Sequence, residues 1–371
     1  MGLQLFNTEY LTIDIGFKFT KVLKVKKQKN DTLFVMRYGI TETPKGCIKN
    51  GAIQDKERVI SVIKKLIEEN NLLAREAKIV MSGTNIISRI ITVDKADENV
   101  SRKKVMDEIK KEIPINFDEH SVDYKVIDVL KEEGISKARV FVIAVSRTII
   151  ASYIDIIKGL GLRPLAVDIP SNSAAKFFHN EVVSFKQGDI NYKKGKIQSG
   201  SDSETVAVID LGSETTIVNI LKNKIIEFNR VLLVGSSNID MSVAKSLNME
   251  THNLEPAERL KKMYGIVGSN GTANEIEQKC VNAAKTVINE TIRNVKMCFD
   301  FYTNKCEGDN IKRVYLVGGG SNLKGIKAYF EQLFEIPAYT INELHISGIE
   351  FAPGLDTDKM TYFINALGVA V

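Results

Sequence analysis

The sequence predicts an α/β chain built of two related lobes, and three segments carry that expectation. LTIDIGFKFTKVL (11–23) and VAVIDLGSETTIVNI (206–220) share one design: an apolar run, Asp-x-Gly, a short turn and a second β-rich run. Each reads as a β-hairpin whose tip exposes backbone N–H groups beside a carboxylate. Such N–H groups hold phosphate oxygens, and the adjacent Asp holds a divalent cation that bridges them. One Asp-x-Gly is ordinary turn chemistry. Two in one chain predict a duplicated domain with phosphates clamped between the halves. The third segment, VYLVGGGSNLKGI (314–326), runs from a buried strand through Gly318-Gly319-Gly320-Ser321 towards a helix. Strand, glycine turn and helix bring backbone close to a nucleotide, although the spacing is not the G-x-G-x-x-G of a dinucleotide site.

The remaining elements follow in order. After the first hairpin, Val59, Ile60, Ile63, Leu66 and Ile67 recur at helical spacing and predict a helix over about 56–70. A strand is expected at 79–83. A compact unit follows: strand 88–94, a helix from Ser101 to Ile113, strands 122–130 and 138–146, and a helix over 148–160. In the first of these helices Val105, Ile109 and Ile113 form an apolar face opposite Arg102, Lys103, Asp107 and Lys110. Leu165–Asp168 re-enters the main body, and 181–205 is polar, rich in Gly and Ser, and reads as an exposed loop. The second half repeats the plan with a hairpin (206–228), helices from about Ser237, over 255–264 and over roughly 274–303, the glycine turn, and a helix over 361–370.

Composition narrows the function classes. With 371 residues and 44% hydrophobic content the chain can bury a large core and is expected to divide into lobes. The formal charge is 51 − 46 = +5, and basic residues are interleaved with acidic ones, so no nucleic-acid stripe is expected. Cys47, Cys280, Cys298 and Cys306 have no C-x-x-C spacing, which fits a reducing cytosol. His120, His179, His252 and His345 are isolated, so no histidine metal cluster is expected. No run of 18 apolar residues and no signal-peptide pattern occur, which predicts a soluble protein.

Taken together, these residues resemble the actin-like ATPase superfamily, and within it the PilM branch of type IV pilus assembly proteins, over essentially the whole chain. The most specific stretches are EIPINFDEHSVDYKVI (112–127), VFVIAVSRTIIASYIDIIKGLGLRPLAVDI (140–169) and INETIRNVKMCFDFY (288–302). The resemblance implies a duplicated actin-like (ribonuclease H-like) two-lobe fold with an inserted FtsA/PilM-type subdomain. Its divisions would be 1–83, 166–180 and 345–371 for lobe I (subdomain 1A) and 84–165 for the insert (1C). Lobe II would comprise 206–245 with 310–344 (2A), and 246–309 (2B). It also implies ATP and Mg. Asp14, Gly16 and Lys21 match the first phosphate loop, with Lys18 able to add a phosphate contact. Asp210, Gly212, Ser213, Thr215 and Thr216 match the second, with Asp14 and Asp210 facing each other across the metal, directly or through water. Glu258 and Lys261 would lie at the ribose and adenine, and Gly318, Gly319, Gly320 and Ser321 would form the adenosine loop. Spacing alone gives Glu258 and Lys261 a second reading, a surface i,i+3 ion pair. NALGVAV (365–371) matches a terminal connecting helix, a packing element.

Three departures bear on activity. Phe17 and Lys18 replace small residues of the first loop, and Glu214 brings a carboxylate to the second. Where relatives position the attacking water with Gln or Glu, this chain has Ile169 or Pro170, with Asp168 adjacent as a weak catalytic candidate. Slow or absent hydrolysis is therefore expected. The implied role is a cytoplasmic assembly protein, recruited to the inner face of the membrane, that docks the cytoplasmic tail of a PilN-like inner-membrane protein on the insert, with other pilus proteins or self-association as further contacts. The alternatives are an FtsA-like filament-forming tether, which a stop at Val371 directly after the connecting helix disfavours, and a sugar-kinase-type phosphotransferase, for which Asp168 would be the base.

Overall fold

The structure, a computed structural model, describes residues 9–28, 32–94, 102–132, 135–180, 183–185, 204–269, 273–306, 309–346 and 348–371. Most of the predicted polar loop 181–205 lies outside them. The chain opens with β1 (Glu9–Ile15), β2 (Phe19–Lys27) and β3 (Leu33–Glu42), then the short pair β4 (Ile48–Lys49) and β5 (Ala52–Ile53), α1 (Lys56–Glu69) and β6 (Glu76–Met81). Next come β7 (Ile87–Asp94), α2 (Arg102–Glu112), β8 (His120–Glu132), β9 (Ile135–Ser146), α3 (Arg147–Gly159), β10 (Arg163–Asp168), α4 (Pro170–Asn180) and β11 (Val183–Phe185). The second half runs β12 (Thr205–Leu211), β13 (Thr216–Lys222), β14 (Ile225–Leu232), α5 (Ser236–Ser246), α6 (Glu255–Tyr264), α7 (Glu275–Lys305) and β15 (Arg313–Val317). It ends with α8 (Ile326–Phe334), β16 (Ala338–Thr340), β17 (Leu344–Ile346), β18 (Ile349–Phe351) and α9 (Ile364–Ala370).

Two sheets share one plan. The first has the order β10-β6-β1-β2-β3-β18 and the second β14-β13-β12-β15-β16. In each, an antiparallel three-strand meander is extended by two parallel strands on the side of its first strand. The duplication reaches the level of register: Asp14 pairs with Lys21 and Ile15 with Thr20, while Asp210 pairs with Ile217 and Leu211 with Thr216. β1 and β12 are buried on both faces, which is why they read as near-continuous apolar runs rather than alternating ones.

Between the sheets, α4 and α9 lie side by side. Phe178 of α4 stacks on Tyr315 of β15 with ring centroids 4.8 Å apart, so the lobe I core continues onto the back of the lobe II sheet. The α4–α9 approach depends on Gly368, where a Cβ would collide with the Ser173 carbonyl oxygen. At the far end of α9 the Lys78 ammonium donates to the carbonyls of Val369 and Ala370 (3.0 and 3.1 Å), completing the helix C-terminus with a cation.

The insert is a three-stranded sheet, β7-β9-β8, covered by α2 and holding its own small core of Ile91, Val93, Val105, Ile109, Val140 and Val142. Helix α3, which the expected division 84–165 groups with the insert, packs instead into the lobe I core through Tyr153, Ile156 and Ile157. In lobe II, α5, α6 and α7 share one core with the sheet, so 246–309 has no separate interior. Among the described residues no helix is long and apolar enough to cross a membrane.

Candidate functional site

Both Asp-x-Gly hairpins close alike: the Gly16 N–H donates to the Phe19 carbonyl (3.0 Å) and the Gly212 N–H to the Thr215 carbonyl (2.9 Å). The glycine N–H groups are thus spent on closing the turns themselves. Side chains and a helix end fasten the turns from behind. Thr43 Oγ1 donates to the Gly16 carbonyl (2.7 Å). The Ser236 and Ser237 N–H groups at the start of α5 donate to the Gly212 and Ser213 carbonyls, each at 2.9 Å. Thr216 Oγ1 donates to the Val234 carbonyl (2.8 Å), so this hydroxyl supports the loop.

The two turns face each other across a cavity of about 350 Å³. Of the predicted residues, Asp14, Gly16, Lys18, Lys21, Asp210, Gly212, Ser213, Thr215, Thr216, Glu258, Lys261, Gly318, Gly319 and Gly320 line it. Asp14, 1% exposed, accepts from the Lys21 ammonium at 2.8 Å through Oδ2, while its Oδ1 has no hydrogen-bond partner. Asp210 accepts from Asn365 Nδ2 at 3.1 Å. Burial pushes the Asp210 carboxyl above the usual range; the Asn365 hydrogen bond and the Lys21 charge oppose that, and the neighbouring charge of Asp14 adds to it. Two carboxylates near each other with an orphaned oxygen fit a divalent cation. Among the described residues no group of three or more His, Cys, Asp or Glu side chains gathers. A cation here would therefore draw the rest of its oxygens from phosphate and water, as magnesium does at phosphoryl sites.

Glu258 and Lys261 do not pair with each other. Lys261, 6% exposed, makes a buried ion pair with Asp240 of α5 (2.7 Å) and donates to the Ser236 carbonyl (3.2 Å). Burial pushes both members of that pair towards their neutral forms, against their mutual attraction. Glu258 instead meets Lys18 of the first turn at 2.5 Å and Lys262 at 2.9 Å. Burial alone would raise the Glu258 carboxyl, but the two ammoniums hold it down to about 2.

The third glycine turn touches the second hairpin. A Cβ on Gly318, at φ +79°, would collide with Asp210 Oδ1, so only glycine lets this backbone approach the carboxylate. Ser321 is buried and donates to the Gly318 carbonyl (2.7 Å), serving the loop rather than the cavity wall. Asp168 also stands outside the wall. Its carboxylate takes three donors, the Ile169 N–H (2.8 Å), Asn172 Nδ2 (2.8 Å) and the Lys176 ammonium (2.7 Å), and so anchors the start of α4. Ile169, Pro170 and Ser171 line the cavity beside it. Phe17 lines the cavity, whereas Glu214 is exposed and is not among its lining residues.

A family model described as type IV pilus assembly protein PilM matches residues 12–371. The chain belongs to the PilM family. Its backbone resembles that of the PilM-PilN type IV pilus biogenesis complex with a TM-score of 0.78 and 20% identity, covering 98% of each chain. The ethanolamine utilization protein EutJ of Carboxydothermus hydrogenoformans shares the fold more distantly, with a TM-score of 0.54 and 13% identity over 98% of this chain and 89% of that one. In sequence, the cell division protein FtsA of Bacillus subtilis is 20% identical over 320 residues, 77% of this chain and 68% of that protein. The fold is thus the duplicated actin-like architecture, and the family places the protein in type IV pilus assembly.

The PilM-family cavity also uses residues that the sequence reading passed over. Asn365 belongs to the segment assigned to packing, yet it reaches Asp210 across the lobes. Its signal was available: it is the one polar residue in FINALGVAV (363–371). Tyr362 lines the cavity and meets Phe19 edge-on at 5.9 Å, while the neighbouring Thr361 carbonyl accepts from the Gly318 N–H (3.1 Å). Ser82, Ile86 and Ser88 line it where the chain leaves β6 for the insert.

Proposed function

We propose that this PilM-family protein binds ATP with Mg between its lobes. The observation that carries the reading is the facing pair of hairpins with equal register, each delivering one buried Asp to a single cavity. Asp14 and Asp210 hold the magnesium or its waters, and Lys21 serves the phosphates. Glu258 and Lys261 serve the ribose and adenine, with Gly318–Gly320 beside the adenosine. Magnesium, when bound, supplies charge neutralisation for the phosphates. The chain's own residues orient that unit and exclude water from it. Ile169, Pro170 and Ser171 at the wall offer no carboxylate or amide to position a water, and Asp168 is already held by three donors, so turnover is slow beside working phosphoryl-transfer enzymes.

The protein acts at the inner face of the membrane by holding the cytoplasmic tail of a PilN-like protein, with lobe closure biasing that contact. The likeness to a chain of a PilM-PilN type IV pilus biogenesis complex supports the partner class. Calorimetry tests the nucleotide reading. Asp14→Ala and Asp210→Ala are each expected to weaken magnesium-dependent ATP binding by about tenfold or more, the loss of one charged contact. Unchanged affinity in both variants overturns it. For the partner, a synthetic tail peptide titrated against the full chain is expected to bind, and no binding overturns that half of the proposal.

A further inference from the structure

Four lysines line the cavity, and among the described residues three of them find carboxylates within their own lobe. Lys21 holds Asp14 on the adjoining strand, Lys261 holds Asp240, and Lys262 holds Glu258 one helical turn away. Lys18 is different. It sits in the turn of the first hairpin, in lobe I, and its ammonium crosses the cavity to Glu258 of α6, in lobe II, at 2.5 Å. Glu258 takes Lys18 and Lys262 on the same oxygen, so two ammoniums share one carboxylate and the cluster carries one net positive charge. Lys18 and Glu258 keep side-chain exposures of 25% and 16%, enough for water and a ligand to reach them. The Lys18 ammonium also lies over the Phe19 ring, 5.8 Å from its centroid, and Tyr362 meets that ring edge-on.

We propose that Lys18 is a triphosphate-selective latch. It ties the lobes together through Glu258, and a nucleoside triphosphate bound between them takes Lys18 onto its terminal phosphate and frees Glu258 for the ribose hydroxyls. The inference rests on the nucleotide reading above and adds to it the residue that distinguishes one phosphate chain length from another. Lysine suits the task because its ammonium is a point charge on a flexible stem, able to swing between two acceptors without matching a fork geometry. A terminal phosphate carrying more than one negative charge outcompetes a carboxylate already shared with Lys262. A diphosphate lacks that terminal group, so Lys18 stays on Glu258 and nothing opposes the latch. The exchange is electrostatic and involves no bond making.

The experiment is calorimetric titration of the full-length protein with Mg·ATP and Mg·ADP, for the wild type, Lys18→Met and Lys18→Arg. The wild type is expected to prefer ATP, and Lys18→Met to lose at least about fivefold of that preference through weaker ATP binding, while Lys18→Arg retains most of it because the charge remains. A thermal melt of each variant controls for folding. If both nucleotides bind and Lys18→Met leaves their affinity ratio unchanged, the latch is wrong and the nucleotide site stands. If Lys18→Arg loses the preference as fully as Lys18→Met, the charge exchange is wrong. If the wild type binds neither nucleotide, the nucleotide reading falls and the latch falls with it.

Discussion

At the scale of single residues, what the sequence disclosed was the identity of the charged groups, and what it withheld was their choice of partner. Asp14 and Asp210 were legible because a short motif fixes both the carboxylate and the turn that presents it. Glu258 and Lys261 were legible as a pair on one helical face, yet Lys261 turned to the buried Asp240 of α5 and Glu258 to Lys18 of the first turn and Lys262 of its own helix, because folding brings α5 and the first hairpin against this face. That choice has a measurable consequence. With its folded value held down to about 2 against an ordinary 4.5, Glu258 contributes stability that is fully present above the ordinary value and is lost as pH falls from about 4.5 towards 2. Glu258→Gln removes this titration. The difference in unfolding free energy between wild type and variant is expected to shrink by about 1–2 kcal/mol between pH 6 and pH 3, allowing for the solvent screening of a partly exposed pair. Urea denaturation at the two pH values reads it, and a pH-independent difference would show that the two lysines do not hold the carboxylate.

At the scale of elements, periodicity found the helices, and apolar runs on either side of an Asp-x-Gly turn found the hairpins, because those patterns are written by one residue's neighbours in the chain. α1 was read at 56–70 and spans Lys56–Glu69, and α6 was read at 255–264 and spans Glu255–Tyr264. Allegiance was less legible. The apolar stripe of α3 says that Tyr153, Ile156 and Ile157 must be buried but not against which sheet, and it packs into lobe I. α9 gave the reverse difficulty, since a helix that is apolar all round says only that something surrounds it. It is enclosed by α4 and the lobe I sheet, at a separation that Gly368 alone permits. Gly368→Val is therefore expected to destabilise the fold by about 1–3 kcal/mol or more, because a backbone oxygen rather than a movable side chain stands in the way. Gly161→Ala provides the contrast: its Cβ would meet nothing within 4 Å, and its φ of +76° makes it a test of backbone strain alone. Chemical denaturation of both variants checks the ranking, and a Gly368→Val protein as stable as wild type would mean that α4 and α9 can part.

At the scale of the whole molecule, the insert is held by more than its covalent root in lobe I. Arg139 of β9 pairs with Asp128 on the neighbouring strand and also reaches Glu227 of β14 in lobe II, where its Nη2 donates at 2.6 Å. Nearer the cavity, Ser88 of β7 donates to Asn229 of β14 (2.5 Å), and Asn229 in turn donates to Ser171 of α4 (2.7 Å). No local pattern announces a strap of this kind, because its members come from 88–229 and belong to five different elements. Its effect follows from charge accounting. Arg139 is one cation serving two acids, and Glu227 is 7% exposed at its side chain, so replacing Arg139 by Met leaves two carboxylates facing each other with little water to separate them. The expected loss is about 3 kcal/mol. In Arg139→Met/Glu227→Gln the buried uncompensated charge is removed, and part of that stability returns. Hydrogen exchange adds the spatial readout: in Arg139→Met the amides of β7 and β14 should lose protection together, while those of β1 and β12 keep theirs. Protection lost in β7 alone would mean that the insert already moves independently of lobe II, and the strap would then be a surface contact with no part in coupling the insert to the cleft.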